Sequence, residues 1–402
     1  MLIDNFAQLI QPVTTSDFFS KYWEQRPLII SRHKPNYYSN LFSKENIDEV
    51  IYFSKPQRPL IQLYKNGQEI ACDYDSEDRE KDSVVEIYNE YYQGSTLILR
   101  GVHRCWKSIS NLCRSIESTL THPTHVNMYL TPKNSQAFKT HFDSHEVFVL
   151  QVEGSKVWRI YDTFHHFPLP IEQQKISKEK LGKPLHEIVL EAGDMLYIPS
   201  GYVHEALTSE CSSLHLTLGI TVYRWLDLLS TALNLVGEQN VSLRKALPVG
   251  FFKHGNNIES LKYRFEELLQ IFSNSAKIDT AVEQLTERVI QEMSTSPDGH
   301  FTQVDKIDSI GLNTLVQKRK GAVCHVVEEE EAVAIQFPGN KVIGPKCIES
   351  ALRFIASSEN YFTVGSLPNS LSDNSKSILV RRLVREGLLA TVNNEKETAS
   401  NF

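Results

Sequence analysis

His141 and Asp143 stand two residues apart in the stretch Thr140-His141-Phe142-Asp143-Ser144. About sixty residues later, Gly193-Asp194-Met195-Leu196-Tyr197-Ile198-Pro199-Ser200-Gly201-Tyr202-Val203-His204 ends on a second imidazole. Two imidazoles and one carboxylate can share a divalent ion and leave its remaining positions open, the donor set that non-haem Fe(II) uses to meet a co-substrate and O₂. Zinc accepts the same donors, so the ligand types alone do not choose the metal. In a chain with 14 histidines the His-x-Asp pair is a weak signal by itself. Its force comes from the later histidine, which follows a Gly-Asp turn into one strand and a Pro-x-Gly turn into the next.

The elements that must position these groups are strands. Side chains at i and i+2 on a strand point the same way, so His141 and Asp143 are expected to reach one ion together. Val126-Asn127-Met128-Tyr129-Leu130 alternates cleanly, which sends Asn127 and Tyr129 to one face. Two β-rich runs, 146–152 and 156–161, flank Glu153-Gly154-Ser155 and predict a hairpin there. Further strands are expected at 187–190, 195–198 and 214–221. Many short strands between Gly and Pro turns predict a barrel or jelly roll, which would bring the three metal-binding side chains together.

Ahead of this region, short helical patterns mix with strand-like runs at 27–30 and 96–99, and the acidic stretch 73–82 reads as a solvated face. Beyond Trp225, apolar residues at helical spacing over 226–236 and 258–293 predict helices broken at Leu247-Pro248-Val249-Gly250. The last hundred residues read strand (322–327), strand (332–337), helix (348–357), helix (377–386), then Leu388-Leu389-Ala390, with Glu328 to Glu331 at a hairpin tip.

Composition sets the outer bounds. A 402-residue chain can hold two or three domains. With 41% hydrophobic and 23% charged residues it has the make-up of a soluble globular protein. The formal charge of -7 argues against a generic nucleic-acid binder. Six scattered cysteines without a Cys-x-x-Cys pair speak against a zinc ribbon or a disulfide framework and for a reduced, cytoplasmic setting. The N-terminus has no signal-peptide pattern, and no apolar run is long enough to span a bilayer.

With these residues in view, the sequence resembles the JmjC branch of the cupin-type oxygenases, and within it the ribosomal oxygenases, which hydroxylate a side chain of a ribosomal protein. The resemblance rests on His141-Phe142-Asp143, Glu146-Val147-Phe148-Val149-Leu150-Gln151, Glu153-Gly154-Ser155-Lys156-Val157-Trp158-Arg159, Gly193-Asp194 through His204, and Leu214-His215-Leu216-Thr217. Leu243-Arg244-Lys245-Ala246-Leu247-Pro248 is similar to that family's helical segment. The implied fold is α+β, a double-stranded β-helix (jelly-roll) catalytic domain with an N-terminal extension over residues 1–224. A helical dimerisation region would follow at 225–305 and a winged-helix domain at 306–402.

The resemblance implies Fe(II) on His141, Asp143 and His204, with 2-oxoglutarate and O₂ as co-substrates. It implies that Lys156, fifteen residues after His141, pairs with the distal carboxylate of 2-oxoglutarate, as a cation in an enclosed pocket needs an anionic partner. Asn127, Tyr129 and Thr217 would line the pocket. His145 shares the parity of His141 and Asp143, but a fourth ligand would close the open positions, so it reads as a non-ligand. His215 suits either a pocket or a core position, and His165 and His166 an exposed loop. Lysine at 156 matches the histidine-directed members, whereas the bacterial arginine-directed ones carry arginine there. Gly219, near where the histidine-directed enzymes carry a substrate-holding serine, leaves the target residue open.

The expected activity is hydroxylation of a His or Arg side chain in a protein, such as a ribosomal protein, by a homodimer that binds neither membrane nor DNA. N-methyl-lysine demethylation and hydroxylation of a biosynthetic precursor peptide are the enzymatic rivals. An inert cupin serving as a protein-binding module is the non-enzymatic one.

Overall fold

The computed structural model describes residues 3–53, 60–70, 83–172, 176, 181–251, 258–293 and 298–392. The acidic stretch 73–82 lies outside them. The chain separates into two compact units, one running to Val222 and the other beginning at Tyr223.

The first unit is built on ten strands: β1 (Leu28–Ile30), β2 (Leu60–Lys65), β3 (Gln68–Ile70), β4 (Thr96–Arg100), β5 (Thr124–Thr131), β6 (Glu146–Thr163), β7 (His186–Glu191), β8 (Met195–Ile198), β9 (Tyr202–Leu207) and β10 (Ser213–Ile220). Their main path runs β1-β8-β6-β10-β5-β4-β2-β3, with β7 and β9 both pairing β6. All the pairings are antiparallel.

The alternation in β5 behaves as its sequence predicts. Val126 and Met128 are buried in the main core, and Asn127 and Tyr129 face the other way. On the core side lies the helix Lys107–Leu120, whose Ile109, Leu112, Cys113, Ile116 and Leu120 recur at helical spacing and are buried. A second core, of Val147, Val149, Trp158, Ile160, Leu190, Leu196 and Ile198, fills the inside of the jelly roll.

The expected hairpin at 153–155 is absent, and β6 is one continuous 18-residue strand. Residues up to Gly154 pair with β10 and those from Ser155 onward with β7 and β9, so the strand passes from one sheet into the other. Gly154 has φ +66°, and a β-carbon there would lie 1.9 Å from the Ser212 carbonyl oxygen. A glycine that reads as a turn is instead a kink in a strand, where a neighbouring backbone passes closely.

His141 and Asp143 do not lie on a regular strand either. His141 forms an isolated antiparallel bridge with His204, through His141 N–H to His204 O at 3.1 Å and His204 N–H to His141 O at 2.8 Å. Gly201 N donates to Asp143 O at 2.9 Å. The segment is an extended loop pinned to β9, and this pinning, more than strand parity, brings the pair to His204.

The second unit holds the helices Trp225–Gln239, Ile258–Ser275 and Ile278–Glu292. It also contains one three-stranded sheet formed by His325–Glu328, Ala332–Phe337 and Asn340–Pro345, and a second formed by Leu315–Lys318, Phe362–Thr363 and Leu389–Thr391. The helices Glu349–Ser357 and Asp373–Arg385 complete the core there. Glu329 to Glu331 form the tip between the first two strands of the first sheet, as their charge run predicts. Among the described residues no helix is long and apolar enough to cross a membrane.

Candidate metal centre and its cavity

Donor atoms from His141, Asp143 and His204 all lie within 4.8 Å of one another, and among the described residues they form the one such cluster. Asp143 Oδ2 is 3.5 Å from His204 Nε2, and the two imidazole centroids are 4.5 Å apart. Ligands held around one ion at roughly 2.0–2.2 Å each are separated on a similar scale.

Both imidazoles are oriented by the backbone in the same way. His141 Nδ1 faces Lys139 O at 2.8 Å, and His204 Nδ1 faces Tyr202 O at 3.1 Å. A carbonyl can only accept, so Nδ1 carries the proton in each ring and Nε2 keeps its lone pair for a metal. Burial, with the neighbouring His141, pushes His204 down to about 4 and keeps it neutral near pH 7. Burial opposes ionisation of Asp143, but His145, His141, His204 and His125 together outweigh it and hold the carboxyl below its usual range. The cluster thus offers two imidazole nitrogens and one carboxylate. That chemistry suits a divalent first-row ion with open positions.

Behind the ligands, Glu205 ties the two segments together. Its buried carboxylate accepts from Thr140 Oγ1 and Tyr161 Oη, each at 3.1 Å, and meets Arg159 Nη1 at 3.5 Å. Thr140 precedes His141 and Glu205 follows His204, so one carboxylate fixes the spacing between the ligand segments. Glu146 accepts from Ser200 N at 3.1 Å and from the Tyr197 hydroxyl, which pins the turn leading into β9.

The ligands open on a cavity of about 320 Å³ whose lining includes the seven candidate site residues His141, Asp143, His204, Lys156, Asn127, Tyr129 and Thr217. His145 and His215 line it too. His145 stands outside the three-donor cluster. His215 stacks on Tyr129 at 4.9 Å and 4°, and burial with the nearby Lys156 holds it well below the usual histidine range. His165 and His166 are exposed.

Lys156 is 3% exposed, and its Nζ donates to Thr131 Oγ1 at 2.9 Å, its one partner among the described residues. Burial without an anion pulls it down to about 7. Nearby, His215 Nδ1 and Trp158 Nε1 are buried with no hydrogen-bond partner among the described residues. A buried cation and two unpaired polar atoms on one wall form a cradle that an anionic oxygen-rich group would satisfy.

Sequence reasoning missed Arg100, His125, Phe138 and Trp158 on the cavity wall, and Thr131, Thr140 and Glu205 behind it. His125 shares the parity of Asn127 and Tyr129, a signal that was available. The others converge only through strand register.

A JmjC domain model matches residues 103–228. The bifunctional lysine-specific demethylase and histidyl-hydroxylase NO66 of Aedes aegypti is 30% identical over 373 residues, covering 83% of this chain and 58% of that protein. Its namesake from Dictyostelium discoideum is 27% identical over 427 residues, covering 95% and 81%. The structure of YcfD, a ribosomal oxygenase from Escherichia coli, in complex with cobalt and 2-oxoglutarate superposes with a TM-score of 0.57 at 16% identity, over 95% of this chain and 99% of that one. The chain spans 58%, 46% and 34% of the first three curated relatives, about half their length.

The fold and cavity are those of a JmjC-type, cupin-related protein. Within that class, the chain carries a JmjC domain over residues 103–228 and is similar to NO66 along 83% of its length.

Proposed function

We propose that the protein is an Fe(II)- and 2-oxoglutarate-dependent dioxygenase that hydroxylates a His or Arg side chain of a protein, with a ribosomal protein as the candidate substrate. The observation that carries this reading is the pairing of two backbone-tethered imidazoles and a carboxylate with a buried lysine that lacks an anion, in one cavity. The NO66 relatives, named as histidyl-hydroxylases, and the YcfD complex with cobalt and 2-oxoglutarate support it.

In this reading His141, Asp143 and His204 hold the iron, and the Lys139 and Tyr202 carbonyls keep each Nε2 aimed at it. Lys156, steadied by Thr131, receives the distal carboxylate of 2-oxoglutarate, which restores its charge in the dry pocket. Asn127, Tyr129 and Thr217 shape the floor beneath co-substrate and target. Bound iron and 2-oxoglutarate supply the oxidising chemistry, with one atom of O₂ entering succinate as CO₂ leaves and the other entering a target C–H bond.

The test is succinate formation together with mass spectrometry of the target. Gain of one oxygen atom that requires intact His141, Asp143 and His204 supports the reading, and full activity after loss of any of them contradicts it. The relatives' names also include a lysine-specific demethylase activity. Release of formaldehyde from a methylated peptide would favour that second reading.

The remaining parts follow the same resemblance. Residues 225–305 are proposed as a dimerisation region, supported by apolar side chains left on its helix surfaces, among them Trp225 (79% exposed) and Tyr263 (74%). Residues 306–402 are proposed as a winged-helix domain that makes protein contacts in preference to DNA. Its Arg382 and Arg385 lean on Glu386, and Arg381 is spent on the Ile310 carbonyl. A cytoplasmic location is proposed from the cysteine usage. Sedimentation of the full chain tests the dimer, and salt-dependent duplex binding tests the last domain.

A further inference from the structure

Of the three metal-binding groups, His141 is one that regular structure does little to hold. His204 stands on β9, which pairs with β6, whereas His141 has an isolated bridge to His204 and no strand of its own. A backbone segment outside a sheet must find other partners for its N–H and C=O groups. The segment leading to His141 finds them on two sides. Toward the β9–β10 connection, Asn134 N donates to Ser209 O at 2.8 Å and Thr208 N to Ser135 O at 3.0 Å. Toward the β2–β3 turn, Asn66 N donates to Gln136 O at 2.9 Å and Gly67 N to Ala137 O at 2.7 Å.

This second set of contacts comes from the hairpin that ends the main path of the large sheet. Lys65 pairs with Gln68, so Asn66-Gly67 is a two-residue turn, with φ +52° and +82°. Asn-Gly is the dipeptide such a turn prefers, and the hairpin ladder leaves both of its amides to bond elsewhere. Side chains add to the attachment. The Lys139 stem rests on Gly67, where a β-carbon would come 2.8 Å from Lys139 Cγ. The Tyr64 ring packs on Phe138 at 4.7 Å between centroids, and Phe138 meets His141 in a T-shaped contact at 5.8 Å. Between Ala137 and His141 stands Lys139, whose carbonyl faces His141 Nδ1 at 2.8 Å.

We propose that the β2–β3 hairpin is a positioning device for the metal centre, in which Tyr64 and Gly67 act through residues 136–139 to hold the His141 ring in place before a metal arrives. Neither residue lines the cavity or offers a metal ligand. A ligand held ready by its surroundings binds more tightly than one ordered on binding, because less freedom is lost. The inference rests on the metal-centre reading for what His141 does.

The test is anaerobic titration of the metal-free, full-length protein with Co(II), read by its visible absorption, alongside thermal unfolding without metal. Tyr64→Ala and Gly67→Val are each expected to weaken Co(II) roughly tenfold, the lower end of the loss that follows removal of an outer partner of a ligand. Both should also change the shape of the absorption band. Tyr64→Phe keeps the ring on Phe138 and drops only the hydroxyl that donates to Glu69 Oε2, so it should bind Co(II) as the parent does. If Gly67→Val folds poorly, Gly67→Ala serves, since a β-carbon alone meets Lys139 and the left-handed backbone there suits glycine. Affinity and band shape equal to the parent's in Tyr64→Ala and in the Gly67 variant overturn the proposal. So does a loss in Tyr64→Phe as large as that in Tyr64→Ala, or a loss that merely follows the unfolding midpoint across the variants. A parent protein that takes up no Co(II) sinks the metal-centre reading and this inference with it, whereas the same uptake by parent and variants sinks only this inference.

Discussion

Among the described residues two lysines are almost wholly withdrawn from solvent, Lys156 on β6 of the first unit (3% exposed) and Lys376 on the helix Asp373–Arg385 of the second (2%). Lys376 donates to the Gly365 carbonyl and to Asn369 Oδ1, both at 3.0 Å, and so closes a turn of its own unit. Lys156 has Thr131 Oγ1 alone among the described residues, and faces a cavity. Burial does not separate a structural cation from a functional one. The number of acceptors does, because a buried charge left short of partners is tolerated only where a ligand completes it.

The largest effect expected from this contrast is on co-substrate binding. Lys156→Met should weaken 2-oxoglutarate by roughly 100-fold or more, as loss of one member of a buried charge pair does, while the ligand-free protein melts no lower than the parent. Calorimetric titration and thermal unfolding check both halves. If affinity is unchanged, the two lysines do not differ in the way described.

Lys376→Met should do the reverse. It deprives the half-buried Gly365 carbonyl and the exposed Asn369 side chain of their donor and should cost about 1–2 kcal/mol of stability in denaturant unfolding, with the KM for 2-oxoglutarate unmoved.

The third prediction concerns pH. The folded value for Lys156 is about 7, against an ordinary value of 10.5. Between these values the unfolded chain binds a proton that the folded one does not, so this group makes the ligand-free protein more stable as pH rises from about 7 toward 10.5. The slope is at most about 1.4 kcal/mol per pH unit, and it should vanish from the difference curve of Lys156→Met. A slope of opposite sign would mean that Lys156 has an anionic partner in the free protein. The smallest effect is assigned to Thr131→Val, which removes the group steadying Lys156 and should weaken 2-oxoglutarate by roughly three- to tenfold.

Much of this was legible in the residues. The alternation of β5 placed Asn127 and Tyr129 on the cavity side, because a two-residue period leaves a half-buried strand no other solution. The role of Lys156 came only with the family resemblance, whereas the His141, Asp143 and His204 trio was read from residue type and spacing. The kink at Gly154 was not, since a glycine between two β-rich runs carries the same local signal whether the chain turns back or a neighbouring carbonyl crosses it. Nor was the Thr140–Glu205–Tyr161 network, whose members stand far apart in sequence and are joined by the pairing of β6 with β9 and by the His141–His204 bridge. The short strands Leu315–Lys318 and Phe362–Thr363 lack the length for a periodic signal.

The most direct test of the metal centre is anaerobic titration of the full chain with Fe(II), followed by calorimetry, for the parent protein and for Asp143→Ala and His204→Ala. The account predicts stoichiometric uptake by the parent and a loss of affinity in each variant greater than the roughly 10–100-fold that follows removal of an outer partner of a ligand. Iron uptake that is the same in all three proteins would contradict it.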